Sequence, residues 1–371
     1  MFYKLCFFMC FVLSCSGDPL VDKCGLVEGA DSVVRGVSPY VPGNKFPWHV
    51  AIYEDRGNKK RGNIVLICGG SIVRSNVVIT AANCFSRSYI VPPVIVSAYR
   101  IVAGTEDPTY DSQDPNRQEA EILQVHIGVT YGGGDRSWQS DIAIVFLKNN
   151  FNLSRAVRAV CLELVDEDFN RWQTAPGIYG KVNGWGSRAA AQGLRISTIP
   201  VVSDSECHEE MSPNYIMYLT SDKICAGLKD EPTVCPGDGG GGLVFPRVNK
   251  TGSPPSWYLR GVLSNAPRST NLSNPCSPSH LALYTNVFSH SYWITNLLAT
   301  AQPTTEASTV IPEPTIAQRT TARQNRHHQI TGQPRRSDRK HSSSPCYTCG
   351  QRRDDTIFLS PLFPSPYRGM P

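Results

Sequence analysis

Charged side chains are scarce. Lys, Arg, Asp and Glu make up 18% of the 371 residues, below the roughly 25% usual for globular chains, and 36 cations against 31 anions leave a net charge of +5. So small a surplus excludes a strongly basic nucleic-acid-binding surface. Long apolar runs are lacking as well. The one near the start, Leu5 to Leu13, is too short for a bilayer span of about 20 residues, and no other segment is apolar enough to cross as a helix. Missing too is any cluster of His, Asp and Glu at a recognisable ligand spacing, so no metal and no cofactor is expected.

Turn formers and cysteine are plentiful, with 30 Gly, 28 Pro and 13 Cys. Lys4, the apolar run to Leu13 and the small residues Ser14, Ser16 and Gly17 read as a signal peptide over residues 1–17, with Cys6, Cys10 and Cys15 inside it. The mature chain is then expected to start near Asp18 and to be secreted into an oxidising extracellular space, where its ten other cysteines can pair. Glycosylation sequons at Asn152, Asn249 and Asn271 agree with that route.

From Ala301 onward the composition turns to Thr, Ser, Pro, Gln and Arg, with too little apolar surface to offset chain entropy. Residues 301–371 are expected to form a disordered basic tail. The tail carries ten cationic and five anionic side chains, so all the net charge sits there. Arg335, Arg336, Arg339, Lys340, Arg352 and Arg353 suit an anionic glycan or membrane surface, although a solvated linker is the plainer reading. Cys346 and Cys349 lack the strand and helix context of a redox motif and read as a local disulfide.

Between these ends, short Val/Ile-rich runs alternate with Gly, Pro, Asn and Asp. Ile64–Ile67, Ser71–Thr80, Val94–Val102, Glu121–Ile127, Ile142–Leu147, Tyr258–Leu263 and Leu281–Val287 fit strands. Phe288, Tyr292, Leu297 and Leu298 fall at helical spacing. The expectation is an all-β domain over residues 18–300, closed by one C-terminal helix.

Three segments carry chemistry: Cys68-Gly-Gly-Ser-Ile72 leading to Thr80-Ala-Ala-Asn-Cys84, Ser140-Asp-Ile-Ala-Ile144, and Cys235-Pro-Gly-Asp-Gly-Gly-Gly-Gly-Leu243. In order and spacing they resemble the catalytic motifs of the chymotrypsin-like serine proteases. Phe46-Pro-Trp48, Val160-Cys-Leu162, Asn183-Gly-Trp-Gly186, Gly261-Val-Leu-Ser264 and Tyr284-Thr-Asn-Val287 support the likeness. The stretches Pro42–Tyr53 and Trp257–Val262 are similar to the protease domains of arthropod modular serine proteases and horseshoe-crab clotting-factor relatives. The resemblance implies a trypsin-like fold of two six-stranded antiparallel barrels with a cleft between them. It implies the disulfides Cys24 with Cys161, Cys68 with Cys84, Cys207 with Cys225, and Cys235 with Cys276.

Cleavage in that family needs a hydroxyl nucleophile, an imidazole base and a carboxylate that orients it. By resemblance the three positions here are Gly239, Asn83 and Asp141. An amide has no usable basicity near neutral pH, and glycine has nothing to attack with. Asp141 therefore reads as a structural carboxylate that hydrogen-bonds Asn83. The N–H groups of Gly237 and Gly239 correspond to the oxyanion hole, where donors alone can bind a carbonyl but not cleave it. None of His49, His126, His208, His280 and His290 matches a catalytic position, nor do His327, His328 and His341 in the tail, so each reads as a packed or surface histidine.

The specificity pocket corresponds to Thr233, Ser264, Ala266 and Ala282, with methyl groups narrowing it where open pockets carry Gly. The run Gly239–Gly242 is expected to be loose, because glycine loses extra entropy on ordering. Activation in the family frees a terminal amine that pairs with the Asp before the nucleophile, here Asp238. The matching segment, Val34-Arg-Gly-Val37, follows Val33 rather than a basic residue, and cleavage at the nearby Lys23 or Arg35 would give a poorly matching terminus. The chain is expected to stay single.

Three functions remain open at this stage. One is a secreted, non-catalytic binding or regulatory partner of an extracellular protease zymogen, inhibitor or cascade protein, in keeping with the immune cascades of inactive arthropod homologues. Another is a serine endopeptidase by fold, using an unrecognised residue. The third is a tail that binds anionic glycans or microbial surfaces, with the barrels as carrier.

Overall fold

The computed structural model describes residues 24–27, 36–38, 46–57, 64–86, 88, 91–185, 193–228, 234–235, 237–247, 255–267 and 281–300. All belong to one compact unit. The expected signal peptide and tail lie outside them, as do Thr233, Cys276, Asn249, Asn271, His280 and the Val33–Arg35 segment.

Two antiparallel barrels make up the fold. After a short strand β1 (Gly36–Ser38), the first barrel is built from β2 (His49–Asp55), β3 (Ile64–Arg74), β4 (Val77–Thr80), β5 (Tyr99–Ala103), β6 (Gln118–Ile127) and β7 (Ala143–Leu147). It closes in the order β2-β3-β4-β7-β6-β5. Every residue of β4 and β7 is buried, whereas β6 alternates over Glu119–Leu123 with Ala120 and Ile122 inward. Such continuous apolar runs mark strands covered on both faces, and alternation marks one face turned to water.

The second barrel comprises β8 (Tyr179–Gly184), β9 (Arg195–Val202), β10 (Lys223–Ala226), β11 (Gly242–Arg247), β12 (Ser256–Asn265) and β13 (Ala282–Asn286), with β1 added along β9. It closes because β8 pairs with both β9 and β11. Its core holds Val182, Ile199, Ile224, Leu243, Phe245 and Tyr284. Three disulfides join Cys24 to Cys161, Cys68 to Cys84 and Cys207 to Cys225. Cys235 is also disulfide-bonded.

The structure corrects several sequence-based boundaries. Ser71–Thr80 is two strands, β3 and β4, because the chain turns at Ser75 and Asn76. In place of a strand from Val94, a 3₁₀ turn spans Val96–Ala98 before β5 begins, in a segment opened by Pro92 and Pro93, which give no ladder donors. Three short helices were not anticipated: α1 (Glu167–Gln173), α2 (Asp204–Glu210) and α3 (Pro213–Ile216). The first two are capped by Asp166 and Ser203, which accept from the N–H groups of Phe169 and Glu206. In the closing helix, α4 (Ser291–Thr300), Ile294 and Leu298 are buried. Tyr292 instead faces solvent, and Phe288 belongs to the 3₁₀ turn before the helix. Arg74 donates to the Leu298 carbonyl at 2.7 Å, tying the last turn of the helix to β3 of the first barrel.

Candidate functional site

Asp141 sits two residues before β7 begins and is fully buried. The turn that delivers it is strained: Ser137, Trp138 and Ser140 all have positive φ, at 56°, 56° and 54°. Non-glycine residues rarely adopt that conformation unless surrounding contacts enforce it. Those contacts come from β10 and the residue ahead of it. Lys223, whose side chain is wholly buried, donates to the Trp138 carbonyl at 2.8 Å and to Thr285 Oγ1 at 3.0 Å, and lies 3.6 Å from Asp222 Oδ2. Asp222 accepts the Ser140 N–H at 2.9 Å, the Thr220 hydroxyl at 2.5 Å and a 3.3 Å contact from His290 Nε2.

This network sets the charges. Burial pushes the Asp141 carboxyl above the ordinary range, against the pull of the Lys223 ammonium and of hydrogen bonds from Ser264 and Asn83. Burial also opposes ionisation of Asp222, but His290, Lys223, Thr220 and Ser140 together hold its carboxyl below the usual range. Lys223 is lowered by burial and supported by the two carboxylates. A buried carboxylate pair is tolerated here because one buried ammonium serves both.

Asn83 stands on the 3₁₀ turn Ala82–Cys84 that follows β4 and is pinned by the Cys68–Cys84 disulfide. Its backbone N–H donates to Asp141 Oδ1 at 2.8 Å. Its side-chain amide donates to Asp141 Oδ2 at 2.6 Å and to the Ser264 carbonyl at 2.9 Å. Both amide hydrogens are thereby engaged. The Ser264 hydroxyl also donates to Asp141 Oδ2, at 2.6 Å.

The expectation of a loose run at Gly239–Gly242 is not met. The Gly240 N–H donates to the Leu263 carbonyl at 2.8 Å, the Gly241 N–H to the Asp238 carbonyl at 3.0 Å, and Gly242 opens β11. Gly240 is required: its φ is +81°, and a Cβ there would collide with Thr80 Oγ1 and the Gly69 carbonyl. Gly239 is different. Its φ is not in the left-handed region, and among the described residues the nearest atom to a Cβ built on it would be Cys68 Sγ at 3.9 Å. Its carbonyl accepts from the Gly69 N–H at 2.8 Å. Among the described residues, the N–H groups of Gly237 and Gly239 donate to no acceptor. Asp238 is buried and accepts the Cys235 N–H at 2.8 Å.

Asn83, Gly237, Gly239, Ser264 and Ala266 line one cleft of about 540 Å³ together with Trp138 and Tyr99. The structure thus brings most of the expected site together around real space. Ala282 is the exception, because its methyl is buried in the second barrel core and does not line the cleft.

The trypsin family model matches residues 34–294, most of the chain. The chain belongs to the trypsin family. It is 30% identical to the CLIP domain-containing serine protease B4 of Anopheles gambiae, over 74% of this chain and 72% of that protein. Drosophila melanogaster modular serine protease is 26% identical over 65% of this chain and 36% of its own length. Clotting factor C of Tachypleus tridentatus is 28% identical over 59% of this chain and 21% of its own length. The match therefore spans about a third and a fifth of the last two proteins.

Within this trypsin-family cleft, no histidine is found among the described lining residues, and the hydroxyls present are Ser86, Ser264 and Tyr99. Ser264 already donates to Asp141, and Ser86 donates to the Ser88 carbonyl at 3.2 Å. His49 is buried with its ring 4.6 Å from that of Trp185, and burial lowers its pKa from 6.5 to about 3. His126 packs edge-on against Phe146 at 5.3 Å, His208 is exposed on α2, and His290 is held by Asp222. No group of His, Cys, Asp and Glu able to hold a metal occurs among the described residues, and none of their helices is long and apolar enough to cross a membrane. Sequence reasoning missed Trp138, Asn265, Lys223 and Asp222. The one signal for the last two was a charged pair at the start of a short apolar strand next to Cys225.

Proposed function

We propose that this chain is a secreted, non-catalytic member of the trypsin family that binds or regulates a partner in an extracellular protease cascade. The observation that carries the reading is the pairing of Asn83 with Asp141 beside Gly239. The carboxylate is buried and hydrogen-bonded as an orienting group would be, yet what it orients is an amide, and Gly239 beside it carries no side chain. Loss of base or nucleophile alone costs a triad hydrolase about a millionfold in turnover, and losing both is about as final. The resemblance to a CLIP domain-containing protease, a modular protease and a clotting factor supports a cascade setting. The disulfides support an oxidising compartment, as does the exposed sequon residue Asn152.

A family-shaped surface retains the means to dock a zymogen or inhibitor after its chemistry is gone, because fold and site are separable. Affinity capture from the native extracellular fluid tests this, with the full chain and a chain ending at Ala299 in parallel. Recovery of a protease zymogen or inhibitor by both supports the proposal. Recovery of anionic glycans alone, and only by the full chain, transfers the function to the tail and overturns it.

A further inference from the structure

We propose that the surface formed by α1 and the adjoining ends of β11 and β12 docks a partner protein through a segment that carries one carboxylate beside a large apolar side chain. None of the residues that form it lines the cleft, so the inference goes beyond the reading of that site.

Two guanidinium groups pack on one aromatic ring. The guanidinium carbon of Arg247 lies 4.5 Å from the centre of the Phe169 ring, and that of Arg260 lies 4.9 Å from it. Arg260 is only 1% exposed, and its acceptors are uncharged: Gln173 Oε1 at 2.6 Å and the Glu163 carbonyl at 2.8 Å. Its Nη2 has no hydrogen-bond partner among the described residues, and neither arginine forms an ion pair with any of them. The carboxylates close by are committed elsewhere. Asp166 accepts the Phe169 N–H, Glu163 accepts the Val165 and Asp166 N–H groups, and Glu167 and Asp168 hold Arg171. Of the two guanidiniums on Phe169, Arg247 is the exposed one and so the one an outside carboxylate can reach.

Apolar surface adjoins this charge. Trp172 is 59% exposed and Val165 89%. Trp172 stacks on Phe169, ring centres 6.2 Å apart and planes 16° apart, so the same ring carries the indole and both guanidiniums. A lone exposed tryptophan needs no explanation, but tryptophan beside an arginine with no ion pair is the combination that dominates binding energy at protein interfaces. The face is also preformed. Gln173, itself buried, bonds Arg260 and donates to the Pro246 carbonyl at 3.2 Å, which fixes α1 to both strands and lowers the ordering cost of association. The carboxylates around α1 select the partner further. They repel a polyanion such as a sulfated glycan, whereas a single carboxylate can pair with Arg247 while its apolar neighbour covers Trp172.

Selection from a random dodecapeptide phage library on the full chain tests the proposal, followed by fluorescence anisotropy with the selected peptides, synthesised and labelled. The selected sequences are expected to pair a Glu or Asp with a Leu, Phe or Trp. Their affinity should fall at least about tenfold on Trp172→Ala and on Arg247→Ala, and Arg247→Lys, which keeps the charge, should recover part of it. Arg247→Glu should reverse the preference, so that a Lys-for-Glu version of each peptide binds better than the original. Both side chains are exposed, and the variants should melt at the wild-type temperature. No enriched sequence, or sequences whose binding survives the Trp172 and Arg247 substitutions, overturns the proposal. Either result leaves the non-catalytic reading standing, because covalent labelling and partner capture decide that reading on their own.

Discussion

The side-chain amide of Asn83 donates to Asp141 Oδ2 at 2.6 Å, and the backbone N–H of the same residue donates to Oδ1 at 2.8 Å. One residue thus satisfies both oxygens of a fully buried carboxylate. Its second amide hydrogen reaches the Ser264 carbonyl, so Asn83 also joins the first barrel to the second. The relationship explains how a carboxylate persists here without an imidazole.

Asn83→Ala keeps the backbone bond and removes the two from the amide. The expected cost is about 1–2 kcal/mol, since a buried acceptor loses a partner next to a cleft that water can enter. Urea unfolding followed by tryptophan fluorescence measures it. An unchanged midpoint would mean the amide contributes nothing to holding Asp141.

The two glycines at the site separate under substitution. Gly239→Ser should change stability by no more than about 0.5 kcal/mol, because its φ lies outside the left-handed region and its Cβ has room among the described residues. Gly240→Ala should cost about 2–5 kcal/mol, from a left-handed φ and a collision with Thr80 and the Gly69 carbonyl. Thermal unfolding of the two variants side by side checks the contrast.

Lys223 is the shared cation of two carboxylates, so Lys223→Met should destabilise by about 3–5 kcal/mol by leaving buried charge unpaired. Adding Asp222→Asn should recover part of that loss, because the asparagine oxygen can still accept from Ser140. If the double variant is as damaged as the two single losses combined, the residues act independently and the shared-charge account fails.

Two of these features show what a sequence can and cannot convey. The Thr80-Ala-Ala-Asn-Cys84 and Ser140-Asp141 motifs made the family and the double-barrel fold legible, because motif order and spacing survive even when single side chains change. Lys223 was invisible: a lysine ahead of Ile224 and Cys225 looks like an exposed strand end, and only the closure of the second barrel puts it under Trp138. The glycine run misled for the opposite reason. Composition reported its freedom, whereas a bond to Leu263, distant in sequence, and a local one to Asp238 determine its order. Strand β9 passed unnoticed because Ser197, Thr198 and Pro200 interrupt its apolar pattern, although the serine and threonine are buried.

His49 gives a pH signature. Its pKa in the fold is about 3, below the ordinary 6.5, so the unfolded chain binds the proton more readily than the folded one. The associated stability is therefore complete above about pH 6.5 and is lost as pH falls toward 3, with a slope of about 1.4 kcal/mol per pH unit. Between pH 6 and 5, before most carboxylates titrate, His49→Phe should flatten that slope. The same slope in wild type and variant would show that His49 carries no such linkage.

The central claim is that the protein binds a partner without cleaving it, and covalent labelling by a fluorophosphonate probe tests the absence of cleavage most directly. The probe reacts only with an activated hydroxyl, and an active trypsin-family protease serves as the positive control. The account expects no adduct on the intact mass of the full chain under conditions that label the control to completion. A stoichiometric adduct mapped to a single residue would contradict it and would make the protein an enzyme with an unrecognised nucleophile.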